Sequence, residues 1–288
     1  MTKQEFKELT QKPVLLDGAT GSNLMAAGMP RGTCTEQWVI EHKDVIQKLQ
    51  KAYIEAGSNI IYAPTFGGNR MNLAKHHLED RIGEINRTLV SYSREIAEGR
   101  ALVAGDITTS GEFLTSEGDY TYEEAFDMYR EQIRILADAG VDLIAAETMI
   151  SIEETLAAID AANSVCSLPI LCTVTVEADG SIFSGGNAAE AAAAFESAGA
   201  DAVGINCSVG PDQLVSVVRA IREAVSVPVV VKPNAGMPMI DDFGNAVYNM
   251  TPSDFARHMR ALMDNGASIV GGCCGTTPEF IRELSGVI

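Results

Sequence analysis

Asp138-Ala139-Gly140-Val141-Asp142-Leu143 decides the fold, because the same transition recurs three more times along the chain. Glu55-Ala56-Gly57-Ser58-Asn59-Ile60, Ser197-Ala198-Gly199-Ala200-Asp201-Ala202 and Asp264-Asn265-Gly266-Ala267-Ser268-Ile269 each close a helical pattern on glycine and run directly into an apolar stretch. Glycine just past a helix end adopts the left-handed conformation at little cost, so each copy reads as a helix stop feeding a strand. Working outward, short apolar and β-branched runs bounded by turn residues predict strands at 14–17, 60–64, 102–106, 143–147, 170–174, 202–207, 229–232 and 269–272. Helical periodicity follows most of them, at 122–139, 152–163, 188–197, 211–224 and 252–265. Alternation of this kind implies a parallel sheet with helices outside, and eight units close into a (β/α)8 TIM barrel. An open doubly wound sheet is the alternative. Asp17-Gly18-Ala19-Thr20-Gly21-Ser22 has two glycines where such a sheet binds phosphate, but not the three-glycine spacing.

Composition narrows the class. The 288 residues are 46% hydrophobic and show no Gly/Ser tract or proline-rich linker, so one domain over residues 1–288 is expected. A formal charge of -18 with scattered Lys and Arg argues against nucleic acid as a partner. The polar start at 1–12 is unlike a secretory signal, and no apolar run is long enough to span a bilayer, so no membrane role and a cytoplasmic location are expected. The six cysteines lack the dense spacing of a disulfide framework and read as thiols, metal ligands or core residues. Oligomeric state is left open.

In such a barrel, chemistry belongs where strands finish. Asp17, Asp106, Glu147, Cys207, Asn234, Cys273 and Cys274 all fall at or just after predicted strand ends. Cys207 closes Gly204-Ile205-Asn206-Cys207-Ser208, and the vicinal pair sits in Gly271-Gly272-Cys273-Cys274-Gly275-Thr276. Converging strand ends bring distant sulfurs to the roughly 4 Å separations that tetrahedral zinc requires, and the flanking glycines let both neighbouring cysteines face one ion. Three protein ligands leave a fourth position open, which marks a catalytic zinc, and a soft thiol is its natural occupant. Plainer readings stand beside these: Cys207 as a small buried hydrophobe, Glu147 as a lysine partner or helix cap, Asp17 and Asn234 as turn formers. Cys34, Cys166 and Cys172 read as structural, and His42, His76, His77 and His258 as surface residues.

Taken together, Asp17-Gly18-Ala19-Thr20-Gly21, Glu147-Thr148, Gly204-Ile205-Asn206-Cys207-Ser208, Pro233-Asn234-Ala235-Gly236 and Gly271-Gly272-Cys273-Cys274-Gly275-Thr276-Thr277-Pro278 resemble the homocysteine S-methyltransferase family, most closely the homocysteine-binding module of cobalamin-dependent methionine synthase. The resemblance spans essentially the whole chain. It implies Cys207, Cys273 and Cys274 as Zn2+ ligands, with Cys207, Cys273, Cys274 and Glu147 forming the catalytic centre. It also implies that Asp17 and Glu147 hold the homocysteine ammonium, that N–H groups around Gly18, Ala19 and Thr20 receive its carboxylate, and that Asn234 fills the fourth zinc position without substrate. Two loops depart from the family pattern: Thr108-Thr109-Ser110-Gly111 replaces Gly-Pro-x-Gly, and Cys34-Thr35-Glu36-Gln37-Trp38 lacks the usual Leu-Asn.

The expected reaction is displacement of an activated methyl group by the homocysteine thiolate, giving methionine. The chain ends about ten residues after Pro278, so the expected donor is a separate methyl-corrinoid protein, with S-methylmethionine or S-adenosylmethionine as the alternative and another small thiol as alternative acceptor. Three rivals remain at this stage: a hydrolytic or aldol zinc barrel, which would want a strand-end histidine; a vicinal-dithiol redox protein; and a thiol-holding subunit of a larger complex.

Overall fold

Ten strands form in the computed structural model, which describes residues 1–112, 114, 120–241 and 246–288. They are β1 (Val14–Leu15), β2 (Ile60–Tyr62), β3 (Leu102–Ile107), β4 (Leu143–Met149), β5 (Ile170–Val174), β6 (Ala202–Cys207), β7 (Val229–Pro233), β8 (Met239–Ile240), β9 (Ala246–Val247) and β10 (Ala267–Val270). Eight of them pair in parallel in the order β1-β10-β7-β6-β5-β4-β3-β2. A parallel bridge between Leu16 and Ile60 joins the two ends. Asn59 completes this seam: its N–H donates to the Leu15 carbonyl at 2.7 Å and its Oδ1 accepts from Leu15 N at 2.8 Å. The closed ring is the (β/α)8 barrel that the alternation implies, and the open-sheet alternative falls.

The four glycine stops behave as read, with φ of 112° at Gly57, 86° at Gly140, 100° at Gly199 and 115° at Gly266. Helices between the strands begin on side-chain caps: the oxygens of Thr121, Ser151, Asn187 and Thr251 each accept the N–H three residues on. Strand limits shift by a few residues, most at β10, which begins and ends two positions before the expected 269–272. The helix expected at 211–224 splits into a 3-10 turn at Pro211–Gln213 and a helix at Val215–Ala224. Unforeseen is a first helix, Lys3–Leu9, with a complete Thr2–Glu5 capping box. Its Phe6 plugs the barrel bottom against Val14, Leu16 and Ile60. The short antiparallel ribbon of β8 and β9 was also unforeseen.

Alternation sorts the strand residues into two layers. Ile60, Ala104, Leu143, Ala145, Leu171, Ala202, Val230 and Ile269 fill the interior of the ring, whereas Val103, Ile144, Val203 and Val231 pack outward beneath the helices. Each fully buried aliphatic side chain contributes about 1.5–3 kcal/mol of transfer free energy. No helix among the described residues is long and apolar enough to cross a membrane.

Candidate active site

The interior phase of the strands turns polar towards their C-terminal ends. Asp106 lies two residues after Ala104, Glu147 two after Ala145, Thr173 two after Leu171, Lys232 two after Val230, and Asn206 four after Ala202. All five are buried. Asp106, Glu147 and Lys232 line a cavity of about 630 Å³ together with Asp17, Gly18, Ala19, Thr20, Cys207, Cys273 and Cys274. The structure thus gathers the sequence-predicted residues around one space, with Asn234 just behind them at the end of β7.

On one side of the cavity the three predicted sulfurs converge. Those of Cys207, Cys273 and Cys274 lie within 4.8 Å of one another, and Cys207 and Cys274 are 3.9 Å apart. This separation fits three edges of a zinc tetrahedron, for which about 4 Å is needed, and three soft anionic donors suit zinc. No other cluster of metal-ligating side chains occurs among the described residues. Asn234 turns its Nδ2 to the Ser208 carbonyl at 2.8 Å, and its buried Oδ1 has no partner among the described residues.

Local backbone chemistry sets this convergence. Cys207 and Ser208 both lie in the left-handed region, φ 59° and 67°, where a non-glycine residue costs on the order of 1–3 kcal/mol. The Ser208 hydroxyl holds the turn by accepting Val176 N at 2.8 Å and donating to Asn206 O at 3.1 Å. Beyond the end of β10, Cys273 N donates to Pro233 O of the neighbouring β7 at 2.8 Å, and Thr276 Oγ1 donates to Cys273 O at 2.7 Å. A Cβ at Gly272 would stand 2.5 Å from Thr276 Oγ1, so only glycine permits this tight turn. Asn206, which sequence reasoning missed, orients the neighbourhood. Its Oδ1 accepts from Thr148 N and Thr173 Oγ1, both at 2.7 Å, and its Nδ2 faces Cys273 Sγ at 3.9 Å.

Hydrogen bonds from Cys207 and Cys273 hold the Cys274 thiol far below its ordinary value, at about 3, while donating to its neighbours pushes Cys207 up. The Tyr248 hydroxyl also bonds to the Cys274 sulfur and lowers it further.

The facing side is acidic, with one cation inside it. Lys232 Nζ reaches Asp17 Oδ1 at 3.2 Å and Glu147 Oε2 at 3.3 Å, and rests 3.8 Å from the centre of the Tyr62 ring. Burial opposes the lysine's charge, but Glu147 and Asp17 hold its pKa well above the usual value. Asp17 Oδ2 accepts Tyr62 N at 2.7 Å across the seam. Burial raises the Glu147 carboxyl to about 7 against the opposing pull of Lys232. Of the three amides expected to receive a carboxylate, that of Ala19 already donates to Thr276 Oγ1 at 3.0 Å.

Both departing loops line the outer cavity, Cys34–Glu36 on one side and Thr108–Gly111 on the other. The second is held by Glu154, fully buried, which accepts from Thr109 Oγ1 (2.6 Å), Ser110 N (2.8 Å), Ser110 Oγ (2.7 Å) and Tyr129 OH (2.9 Å). Of the histidines, exposed His76 reaches the cavity rim. Cys172 is core, Cys166 packs at its edge, and the Cys34 thiol donates to Glu36 at 3.4 Å.

A family model described as homocysteine S-methyltransferase matches residues 14–288. The chain is 31% identical over 298 residues to a methionine synthase of Mycobacterium tuberculosis and 30% identical over 301 residues to that of Mycobacterium leprae. These alignments cover 97% and 98% of the chain but only 25% of each relative, so the chain spans about a quarter of the length of the curated relatives it matches. The homocysteine methyltransferase MmuM of Escherichia coli shares the fold, with a TM-score of 0.82 at 21% identity for its oxidized form and 0.80 at 20% for its metallated form, over 99% of both chains. With the match running from β1 to the last residue, the chain belongs to the homocysteine S-methyltransferase family.

Proposed function

We propose that the chain is a zinc-dependent thiol S-methyltransferase that presents homocysteine as the nucleophile and yields methionine, with a separate methyl-corrinoid protein as donor. The observation that carries this reading is the meeting of Cys207, Cys273 and Cys274 opposite a buried acidic wall in one cavity. These cysteines would hold the ion, and the Oδ1 of Asn234, without a partner among the described residues, supports a ligand role for it when substrate is absent. Bound zinc supplies a position at which a substrate thiol loses its proton near neutral pH.

The chain's own residues do the rest. The acidic wall, Asp17 and Glu147 included, attracts the ammonium of an amino-acid thiol and fixes its sulfur side towards the cysteines. The amides of Gly18 and Thr20, with Ala19 engaged by Thr276, stand ready for the carboxylate. A thiolate so held needs no general acid, because the leaving group departs with its electron pair. Identity of 30–31% to methionine synthases, against 21% to the Escherichia coli homocysteine methyltransferase, favours a corrinoid donor over a small sulfonium.

The test mixes zinc-loaded protein and homocysteine with a methyl-corrinoid protein, S-methylmethionine or S-adenosylmethionine. Methionine should form fastest with the corrinoid donor; none from any donor would refute the assignment. The pH profile gives a second check. With a carboxyl pKa of about 7 in the free protein, Glu147 loses its charge as pH falls through 7, so kcat/KM for homocysteine should drop on the acid side. Glu147→Gln should flatten that limb at a lower overall rate; an acid limb unchanged in the variant would assign it to another group.

A further inference from the structure

The loop after β7 carries the exposed ribbon of β8 and β9, where Met239, Ile240 and Val247 face outward, and the chain leaves the ribbon at Tyr248. Two residues on, it is tied back to the turns that hold the cysteines. Met250 N donates to Ala235 O at 3.2 Å, and Ala235 N donates in turn to Cys274 O at 2.9 Å. Beside this tie Tyr248 is half-buried, with its ring against the α-carbon of Gly275. A Cβ at Gly275 would stand 2.4 Å from both Cγ and Cδ2 of the ring, a separation real Cβ atoms do not show. Glycine at 275 is therefore required twice, for its left-handed φ of 81° and for the tyrosine seated on it.

So seated, the ring presents its hydroxyl to the sulfur of Cys274, the residue just before Gly275, and bonds to it. A phenol is an uncharged donor at neutral pH, and here packing has fixed its direction. The neighbouring sulfur has a counterpart inside the barrel. Asn206 turns its Nδ2 to Cys273 Sγ at 3.9 Å, while its Oδ1 is held by Thr148 N and Thr173 Oγ1. Outer hydrogen bonds of this kind orient a metal ligand and moderate its charge, and losing one typically costs about 10- to 100-fold in metal affinity or activity.

We infer that Tyr248 is a positioning residue of the metal site: its ring, locked on Gly275, fixes the hydroxyl, and the hydroxyl holds the Cys274 sulfur in place for the ion. The inference rests on the three-cysteine zinc site proposed above and goes beyond it, giving the segment that leaves the exposed ribbon a part in metal binding. Tyr248 acts through Cys274. A sulfur released from the hydroxyl is free to turn and gives more of its charge to the ion, which then draws its fourth ligand less strongly.

Tyr248→Phe separates the hydroxyl from the ring, because phenylalanine keeps the packing on Gly275. In the full chain, zinc affinity is measured by competition with a chromophoric chelator, and the sulfur-to-metal charge-transfer bands are recorded after loading with Co2+. The variant should bind zinc about 10-fold more weakly and shift those bands, while the metal-free protein melts with the wild type. Val247→Ala, at an exposed position of the same ribbon, should match the wild type in all three measurements. Wild-type affinity and unshifted bands in Tyr248→Phe would overturn the inference, since packing alone predicts that result, and would leave the methyltransferase reading standing. An equal loss of affinity in Val247→Ala would overturn it too, by tracing the effect to the ribbon as a whole. A wild-type chain that binds no zinc would bring down both readings.

Discussion

If the three cysteines hold zinc as proposed, Cys273→Ser should strip the chain of its metal and lower methyl transfer by about 10³-fold or more, the scale expected when a nucleophile loses its activating ion. Serine is a hard, neutral ligand at neutral pH, and the two remaining sulfurs of Cys207 and Cys274 cannot hold zinc alone against a mild chelator. The fold should survive, because the residue's structural bonds are made by its backbone, N–H to Pro233 O and carbonyl to Thr276 Oγ1. Metal content, circular dichroism and turnover measured together check this result. A serine variant with full metal and normal turnover would mean that Cys273 is no ligand.

Gly204→Ala acts on the scaffold instead. Gly204 lies at an interior position of β6, directly beside Val230 of β7, and a Cβ there would strike the Val230 carbonyl oxygen, with the carbonyl carbon and amide nitrogen at 2.8 Å. Backbone cannot swing aside as a side chain does, so the two strands must part. The expected cost is about 3 kcal/mol or more, a fall in Tm of roughly 6–12 °C for a chain of this size. Gly21→Ala, whose added methyl meets nothing within 4 Å, is the control and should melt with the wild type. Equal melting temperatures for the two variants would show that the β6–β7 wall yields more easily than its spacing allows.

Much of this architecture was legible before any coordinates. The four glycine stops announced the alternation because left-handed φ after a helix is a local requirement that tertiary packing does not change. The cysteine positions were legible for a similar reason: strand ends in a closed ring have to converge. What escaped is instructive. Lys232, the last residue of the strand expected at 229–232, and Asn206, next to last at 202–207, sit in phase with the apolar interior positions of their strands, so carrying the two-residue period beyond Val230 and Ala202 points them inward; attention to the cysteines and carboxylates nearby passed over them. Glu154 looked like a helix residue near the Ser151 cap, and nothing local reveals that the loop at 108–111 wraps onto it. The first helix carried a visible signal in its Thr2–Glu5 capping box, masked by an otherwise polar composition. The ribbon of β8 and β9 has none, being two exposed residues on each side.

The seam between β1 and β2 has a consequence for how the barrel breathes. Elsewhere neighbouring staves share two to five rungs, but here one bridge and the side chain of Asn59 do the joining, and the topmost stitch is Asp17 reaching across to Tyr62. That stitch also grips Lys232, whose other hand is on Glu147. Any charge that settles among these groups therefore bears on the hoop at the join with the fewest rungs.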